Sequence, residues 1–375
     1  MSYLLLIAAA AAFAYQLAAA VAALRHIFRR DRNGSWTPGL SILKPIRGLD
    51  PSFSEALRSH AQQDYPEFEI LFGVSDPDDP AIKEIEQLMR DFPNVDIRLV
   101  SCDVNVPNRK VGVLDSLSRA AKHPILLVND SDIVVPPGYL RGVVAPLEEP
   151  RTGLVTCLYR GAAAHFPAKF EALGIATEFA PSVLVAPYVG VREFGLGSTL
   201  VFRAEQLTGA GGFEAIADYL ADDYQLARRI VGLGYQVHLS KTAVETTLSG
   251  SSWGEVWRHQ VRWHRTIRVS KNKAYFGIVV TQATLWALAA AFAGWWTAAL
   301  AVLGARMAAG LLAGLGVLRC PITARFFWLI PLRDLFGVAV WFAGAIGSTV
   351  QWRGDLLRLS RDGRILKAGP TTAGD

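Results

Sequence analysis

Cysteine is scarce in this chain and poorly spaced for metal. Cys102, Cys157 and Cys320 stand far apart, without Cys-x-x-Cys or Cys/His spacing. That excludes a zinc ribbon and fits a reducing compartment around any soluble part. Charge is also low, at 19% of 375 residues against 51% hydrophobic, with mean hydropathy +0.25. A wholly soluble protein is not made from such a mixture, so part of the chain belongs in a bilayer. A basic stripe interleaved with aromatics is missing too. The formal net charge of +5 gathers beside apolar runs, which points to an anionic membrane surface as partner and away from nucleic acid.

The first apolar run, from about Tyr3 to Leu24, carries no charge at all. It is long enough to cross a bilayer. A signal peptide would place its positive charges before the run and a cleavage site after it. Here Arg25, Arg29, Arg30 and Arg32 follow, so the run reads as an anchor with its N-terminus outside and the following residues cytoplasmic. The resulting expectation is an integral membrane protein of a bacterial inner membrane, with its catalytic part in the cytoplasm.

From Ser41 to about Ser249 the pattern becomes that of a soluble α/β protein. Leu40–Leu43, Phe68–Val74, Val95–Val100 and Ile125–Val128 read as strands, separated by helices over Phe53–Gln62, Pro80–Arg90 and Val111–Ala121. Ser52 stands as an N-cap for the first of these helices. Such alternation predicts a parallel sheet covered on both faces. Further on, Gly195–Arg203 reads as a glycine-loosened loop feeding a strand. Leu226, Ile230 and Leu233 recur at helical spacing, which puts Asp222 and Asp223 at a helix start.

Two acidic elements stand out. The strand Ile125–Val128 runs through Asn129 into Asp130-Ser131-Asp132. In an extended segment the two aspartates point the same way, and such like charges call for a cation between them. Ligands of open α/β sheets gather at the carboxyl ends of strands, so this is read as a divalent-metal site receiving a diphosphate. The other reading is a solvated turn. For Asp222 and Asp223 the alternative is a simple acidic cap on a helix.

Trp253–Lys273 mixes Trp253, Trp257 and Trp263 with Arg258, Arg262, Arg265, Arg268, Lys271, Lys273, His259 and His264. A basic, tryptophan-rich amphipathic helix before apolar runs reads first as interfacial. Phe276–Leu318, charged only at Arg306, suits two closely spaced helices; Thr323–Asp334 reads as interfacial and Leu335–Trp352 as another span. Three spans after a cytoplasmic domain would put the basic tail outside, against the preference of its charge. The expected division is an N-terminal transmembrane helix (1–24), a cytoplasmic catalytic domain (25–250), an interfacial region (251–275), further transmembrane or interfacial helices (276–352) and a polar tail (353–375).

These pieces, taken together, resemble the ceramide glucosyltransferases, membrane-bound inverting glycosyltransferases with a GT-A fold. The resemblance runs through Ser41–Pro51, Asp64-Tyr65-Pro66, Val74–Ile82, Asn94-Val95-Asp96, Asp130-Ser131-Asp132, Ala221–Tyr224 and Arg262-Trp263. It implies a GT-A (Rossmann-like) nucleotide-sugar domain inserted between transmembrane helices. That family carries three separated aspartates and a (Gln/Arg)-x-x-Arg-Trp element. Here these fall on Asp76 beside the uracil, Asp130 with Asp132 as the metal pair, Asp223 as general base, and Arg262 with Trp263. The chain departs from the pattern at His259, where the family has Gln or Arg. Lys44, Pro45 and Lys110 join Asp76, Arg262 and Trp263 as expected nucleotide-sugar contacts, and Asp222, His259 and Gly197 as residues on the acceptor side. The implied reaction is glucose transfer from UDP-glucose to ceramide, assisted by Mg²⁺ or Mn²⁺. Transfer of glucose or an N-acetylhexosamine from a UDP-sugar to another lipid, such as a hopanoid or polyprenyl phosphate, and a polysaccharide synthase are the alternatives.

The chemistry suits these residue types. A divalent cation on one or two carboxylates neutralises a departing diphosphate while keeping positions for phosphate oxygens. A guanidinium matches the same oxygens. The attacking hydroxyl must lose a proton, and a carboxylate within about 3 Å can take it. A base without a second, nucleophilic carboxylate fits single displacement with inversion. Asp222, next to Asp223, is expected to raise its pKa by like-charge repulsion yet to point elsewhere, since neighbours on a helix lie about 100° apart.

Overall fold

The computed structural model of the chain describes residues 2–30, 35–352 and 355–366. Arg32 and, in the polar tail, residues 353, 354 and 367–375 therefore lie outside the described residues. The chain divides into two compact units. A sheet unit consists of Arg30–Tyr159 and Val191–Thr247, and a helical unit of Met1–Arg29, Arg160–Gly190 and Leu248–Asp375. Residues 160–190, which the sequence pattern assigns to the catalytic domain, group with the helices.

The strands of the sheet unit are β1 (Leu40–Pro45), β2 (Phe68–Val74), β3 (Asp96–Ser101), β4 (Ile125–Val128), β5 (Ile133–Val134), β6 (Thr152–Ala163), β7 (Leu200–Arg203) and β8 (Gln236–Leu248). Their order in the sheet is β3-β2-β1-β4-β7-β6-β8-β5. The first four are parallel, and β7 is antiparallel to β4. Alternating residues feed two cores, as the period of a strand requires. Ile42, Ile70, Phe72, Ile125 and Leu127 join one cluster with helices Phe53–Ala61 and Ala81–Asp91. Leu43, Leu71, Leu126 and Val128 join the other with helix Arg109–Ala120. The expected parallel strands, covered on both faces, are present, and they continue into an antiparallel half of the same sheet.

Local details differ from the sequence reading for physical reasons. Ser52 does not cap its helix with its hydroxyl. Its backbone is left-handed, at φ 58°, and not in the extended conformation that side-chain capping uses. Helix Arg109–Ala120 begins earlier than expected because Asn108 is its cap, with Oδ1 accepting from Val111 N at 3.3 Å.

Within the helical unit, and among the described residues, four helices are long and apolar enough to cross a membrane: Tyr3–Phe28, Phe166–Val189, Trp296–Val317 and Pro321–Ala345. Ala283–Phe292 is apolar but shorter. Small residues let these helices approach closely: Ala9, Ala12, Ala283, Ala287, Ala290 and Ala299 pack in one cluster. Phe166–Val189 was not anticipated. Thr323–Asp334, expected at the interface, lies within helix Pro321–Ala345, where buried Asp334 meets buried Arg306. The expected span Leu335–Trp352 also ends early. Gly347, at φ 82°, turns the chain out of the helix, and Thr349–Trp352 (β9) pairs with Asp355–Leu359 (β10), which pairs in turn with Ile365–Leu366 (β11).

Candidate active site

Three neighbouring parallel strands deliver their carboxyl ends to one edge of the sheet unit. Pro45 of β1 pairs with Gly73 of β2, and Leu43 of β1 pairs with Val128 of β4. Lys44 and Pro45, Asp76 and Asp130 therefore share that edge. All four residues of β4 are buried between β1 and β7, which fixes where the chain emerges. Immediately beyond, it turns, with Ile133 N donating to Asp130 O at 3.4 Å. Asp130 and Asp132 are thus brought near each other by a turn, and not by the pleat of an extended segment.

Two lysines serve these carboxylates. Lys44 is fully buried and its Nζ donates to Asp130 O at 3.1 Å. Burial pushes its pKa down to about 7 against the pull of Asp132 and Asp130. Lys110 Nζ lies 2.8 Å from Asp130 Oδ1 and 3.2 Å from Asp222 Oδ2. Burial works against its charge, but Asp130 and Asp222 prevail and raise its pKa. Asp132 is raised by burial first and by Asp130 second, and its Oδ2 accepts from the Thr246 hydroxyl.

Asp222 and Asp223 open helix Asp222–Gly232, whose Leu226, Ala227 and Ile230 are buried. Asp223 Oδ2 accepts from Gly197 N at 3.0 Å, and its Oδ1 from Tyr224 N at 2.7 Å. Burial lifts its pKa well above the usual carboxylate range, with Asp222 adding to the rise and Lys110 opposing it. Asp222 does not turn away as expected, because Lys110 draws it into the same cluster. Gly197 sits where a side chain would intrude. A Cβ there would come 3.2 Å from Asp130 Oδ2, 3.7 Å from Asp223 Oδ2 and 3.7 Å from Lys110 Nζ. The bare backbone of Gly197 therefore stands between the two carboxylates.

The donor set can be weighed for a divalent cation. Asp130 gives Oδ1 to Lys110 and keeps Oδ2; Asp132 gives Oδ2 to Thr246 and keeps Oδ1. The Asp130 side chain is 40% exposed, enough for a ligand to reach it. No group of three or more acidic, histidine or cysteine side chains suited to a metal occurs among the described residues. This is not a full protein cage. It fits an ion of the Mg²⁺ type, which takes one or two carboxylates and fills its shell with water and phosphate oxygens.

The structure gathers Lys44, Lys110, Asp130, Asp132, Gly197, Asp222 and Asp223. Asp76 is at the same edge, two strands from Asp130, exposed, with Oδ1 accepting from Asp78 N at 3.0 Å. His259, Arg262 and Trp263 belong to the helical unit, on helix Trp253–Ser270. That helix is capped by Ser252 Oγ, which accepts from Glu255 N at 3.3 Å. His259 Nδ1 lies 2.6 Å from Oε1 of buried Glu171, and its ring lies 4.7 Å from that of Trp263. The sequence reading overlooked Glu171, Thr246 and Asn129. Asn129 had a signal, being an amide directly at the end of a buried strand.

Among known proteins, the model of Glycosyl transferase family 21 matches residues 3–365. Ceramide glucosyltransferase 1 of Caenorhabditis elegans is 30% identical over 206 residues, 54% of this chain and 44% of that protein. Ceramide glucosyltransferase 3 of the same organism is 29% identical over 247 residues, 64% of this chain and 52% of that protein. The chain spans about half the length of these curated relatives. Ceramide glucosyltransferase of Komagataella phaffii is 39% identical over 107 residues, 27% of this chain and 21% of that protein. Among solved structures, the mannosyltransferase PcManGT from Pyrobaculum calidifontis, in complex with GDP-Man and Mn²⁺, aligns with TM-score 0.58 and 20% identity, covering 92% of this chain and 98% of that one. That likeness is one of fold.

Proposed function

The chain belongs to glycosyl transferase family 21, and from that premise we propose that it transfers glucose from UDP-glucose to the primary hydroxyl of ceramide, with inversion, at the cytoplasmic face of a membrane. The observation that carries this reading is the pairing around Gly197. One carboxylate, Asp130, is held by a lysine, and another, Asp223, has its pKa raised by burial. The sugar and acceptor are taken from the names of the relatives.

Asp223 is the general base in this reading. The backbone N–H groups of Gly197 and Tyr224 orient its carboxylate, and the raised pKa suits it to accept a proton near neutrality. Oδ2 or Oδ1 removes the acceptor hydroxyl proton as the oxygen attacks the anomeric carbon from the face opposite the diphosphate. No second carboxylate is needed as a nucleophile, so configuration inverts. Lys110, between Asp130 and Asp222, keeps the acidic cluster from repelling an incoming diphosphate. By the family pattern, Asp76 is assigned to the uracil and Arg262 with Trp263 to the diphosphate. Asp130 and Asp132 would hold a Mg²⁺ or Mn²⁺, which when bound would neutralise charge on the leaving diphosphate. The Mn²⁺ of the mannosyltransferase with like fold supports that assignment.

The test incubates the purified protein with a panel of UDP-sugars and lipid alcohols and weighs the products. The expected product is β-glucosylceramide, formed with Mg²⁺ or Mn²⁺ and not after EDTA. Transfer to a hopanoid or polyprenyl phosphate in its place would overturn the acceptor assignment. Full turnover by a sample verified free of metal would overturn the metal assignment.

A further inference from the structure

Between the end of β4, which leads to Asp130, and the loop that touches Asp223 lies a buried amide. Asn129 is wholly buried. Its Nδ2 donates to Ser198 O at 2.5 Å and to the Tyr139 hydroxyl at 2.9 Å, with Thr199 Oγ1 at 3.2 Å. Its Oδ1 lies 3.1 Å from His60 Nε2. The same loop is pinned from its other side. Thr156 Oγ1 accepts from Leu196 N at 3.0 Å and donates to Thr199 O at 2.8 Å. Between these two anchors stands Gly197, whose N–H donates to Asp223 Oδ2.

An amide is a poor choice for the end of a buried strand unless its hydrogen bonds are all used. Here they are used to join two chain segments remote in sequence. We infer that Asn129 is a positioning residue, which fixes the loop Leu196–Thr199 against the end of β4 and so sets the separation of the Asp130 and Asp223 carboxylates. Leucine matches its size but cannot donate to Ser198 O. Freed of that bond, the loop can drift, and Gly197 would carry Asp223 out of line with Asp130. A misplacement of about 1 Å is enough to cost about 100-fold in rate. The catalytic part of this inference rests on the reading of Asp130 and Asp223 given above.

The test compares wild type with Asn129→Leu, Thr156→Val and the double variant. Hydrogen exchange at the Gly197 amide should quicken by about tenfold or more in each single variant, with the core strands unchanged. On whichever acceptor the panel yields, kcat should fall about 100-fold in Asn129→Leu. The KM for the UDP-sugar and the calorimetric affinity for UDP with Mg²⁺ should stay within about threefold. The double variant should be little worse than either single one, since both release the same loop. Unchanged exchange at Gly197 would overturn the inference. So would a lower unfolding temperature with normal kcat per folded molecule, which marks a purely structural residue. The exchange result decides whether Asn129 holds the loop even if ceramide proves not to be the acceptor.

Discussion

Asp223 and Asp222 are adjacent in sequence, face the same lysine and have different assignments. Asp223 accepts two backbone N–H bonds. Asp222 pairs with Lys110 and raises the pKa of its neighbour. As a base, Asp223 must be ionised. Because its pKa lies above the ordinary carboxylate range, the transfer rate should still be rising with pH where a solvent-exposed aspartate, of pKa about 3.9, is already fully ionised. Asp222→Asn removes one of the causes of that rise, so the midpoint of the pH–rate profile should move to lower pH with only a modest loss of maximal rate. Asp223→Asn should lose transfer by about 100-fold or more while UDP-sugar binding survives calorimetrically. Normal turnover by Asp223→Asn, or a midpoint that moves upward in Asp222→Asn, would remove Asp223 from its role. His259 also becomes intelligible at this scale. It stands where the resemblance implies Gln or Arg, and it is engaged with Glu171 and the ring of Trp263.

Among the elements, the strands and the acidic helix start were legible because their signals are local. Ile125–Val128 is apolar at every position and is buried at every position, and the periodicity after Asp223 needed only its own helix. The run Phe166–Val189 was illegible for the opposite reason. Pro167, Pro181, Glu171 and Glu178 break its hydropathy. The partners that satisfy the two glutamates come from far along the chain. Glu171 accepts from Gln260 at 2.7 Å, and Glu178 accepts from Gln282 at 2.7 Å and faces Arg333 at 3.4 Å. A π-helical turn, Ile175–Phe179, lets the run continue. The site was legible in its acids but not in its geometry, since neither the turn after Asp130 nor the bonds of Asn129 announce themselves in spacing. Asp334 was no more legible, because its partners are remote in sequence. It accepts from Arg306 Nη2 at 2.7 Å and from Thr284 Oγ1 at 2.7 Å, fastening three helices together. Removing it leaves a buried guanidinium uncompensated, so Asp334→Ala should destabilise the helical unit by about 3–5 kcal/mol. Thermal unfolding in detergent should show the loss, with partial recovery in the double variant Arg306→Met/Asp334→Leu. An unchanged transition in Asp334→Ala would show that the pair does not brace the helices.

For the molecule as a whole, the arginines after the first apolar helix make a statement about sides of the membrane. Cys102, Cys157 and Cys320 are all buried, and replacing each by alanine gives a cysteine-free background. In it, Asp78→Cys places an exposed thiol beyond β2, at the edge that carries the candidate site. An impermeant thiol reagent should label it only after the cytoplasmic face has been opened. Labelling of intact cells would reverse the orientation proposed here.

The sheet unit is assembled from two lengths of chain, and this has a consequence in time. As the protein is synthesised, β1 to β4 emerge early, but the strand that covers the free side of β4 is β7, and it does not exist until Leu200–Arg203 has left the ribosome. Until then the strand leading to Asp130 is an open edge with unpaired backbone groups, a template for wrong partners. The apolar run Phe166–Val189 is made during that interval. If it is drawn promptly into the membrane, the exposed edge loses its nearest greasy competitor just before the rightful strand arrives.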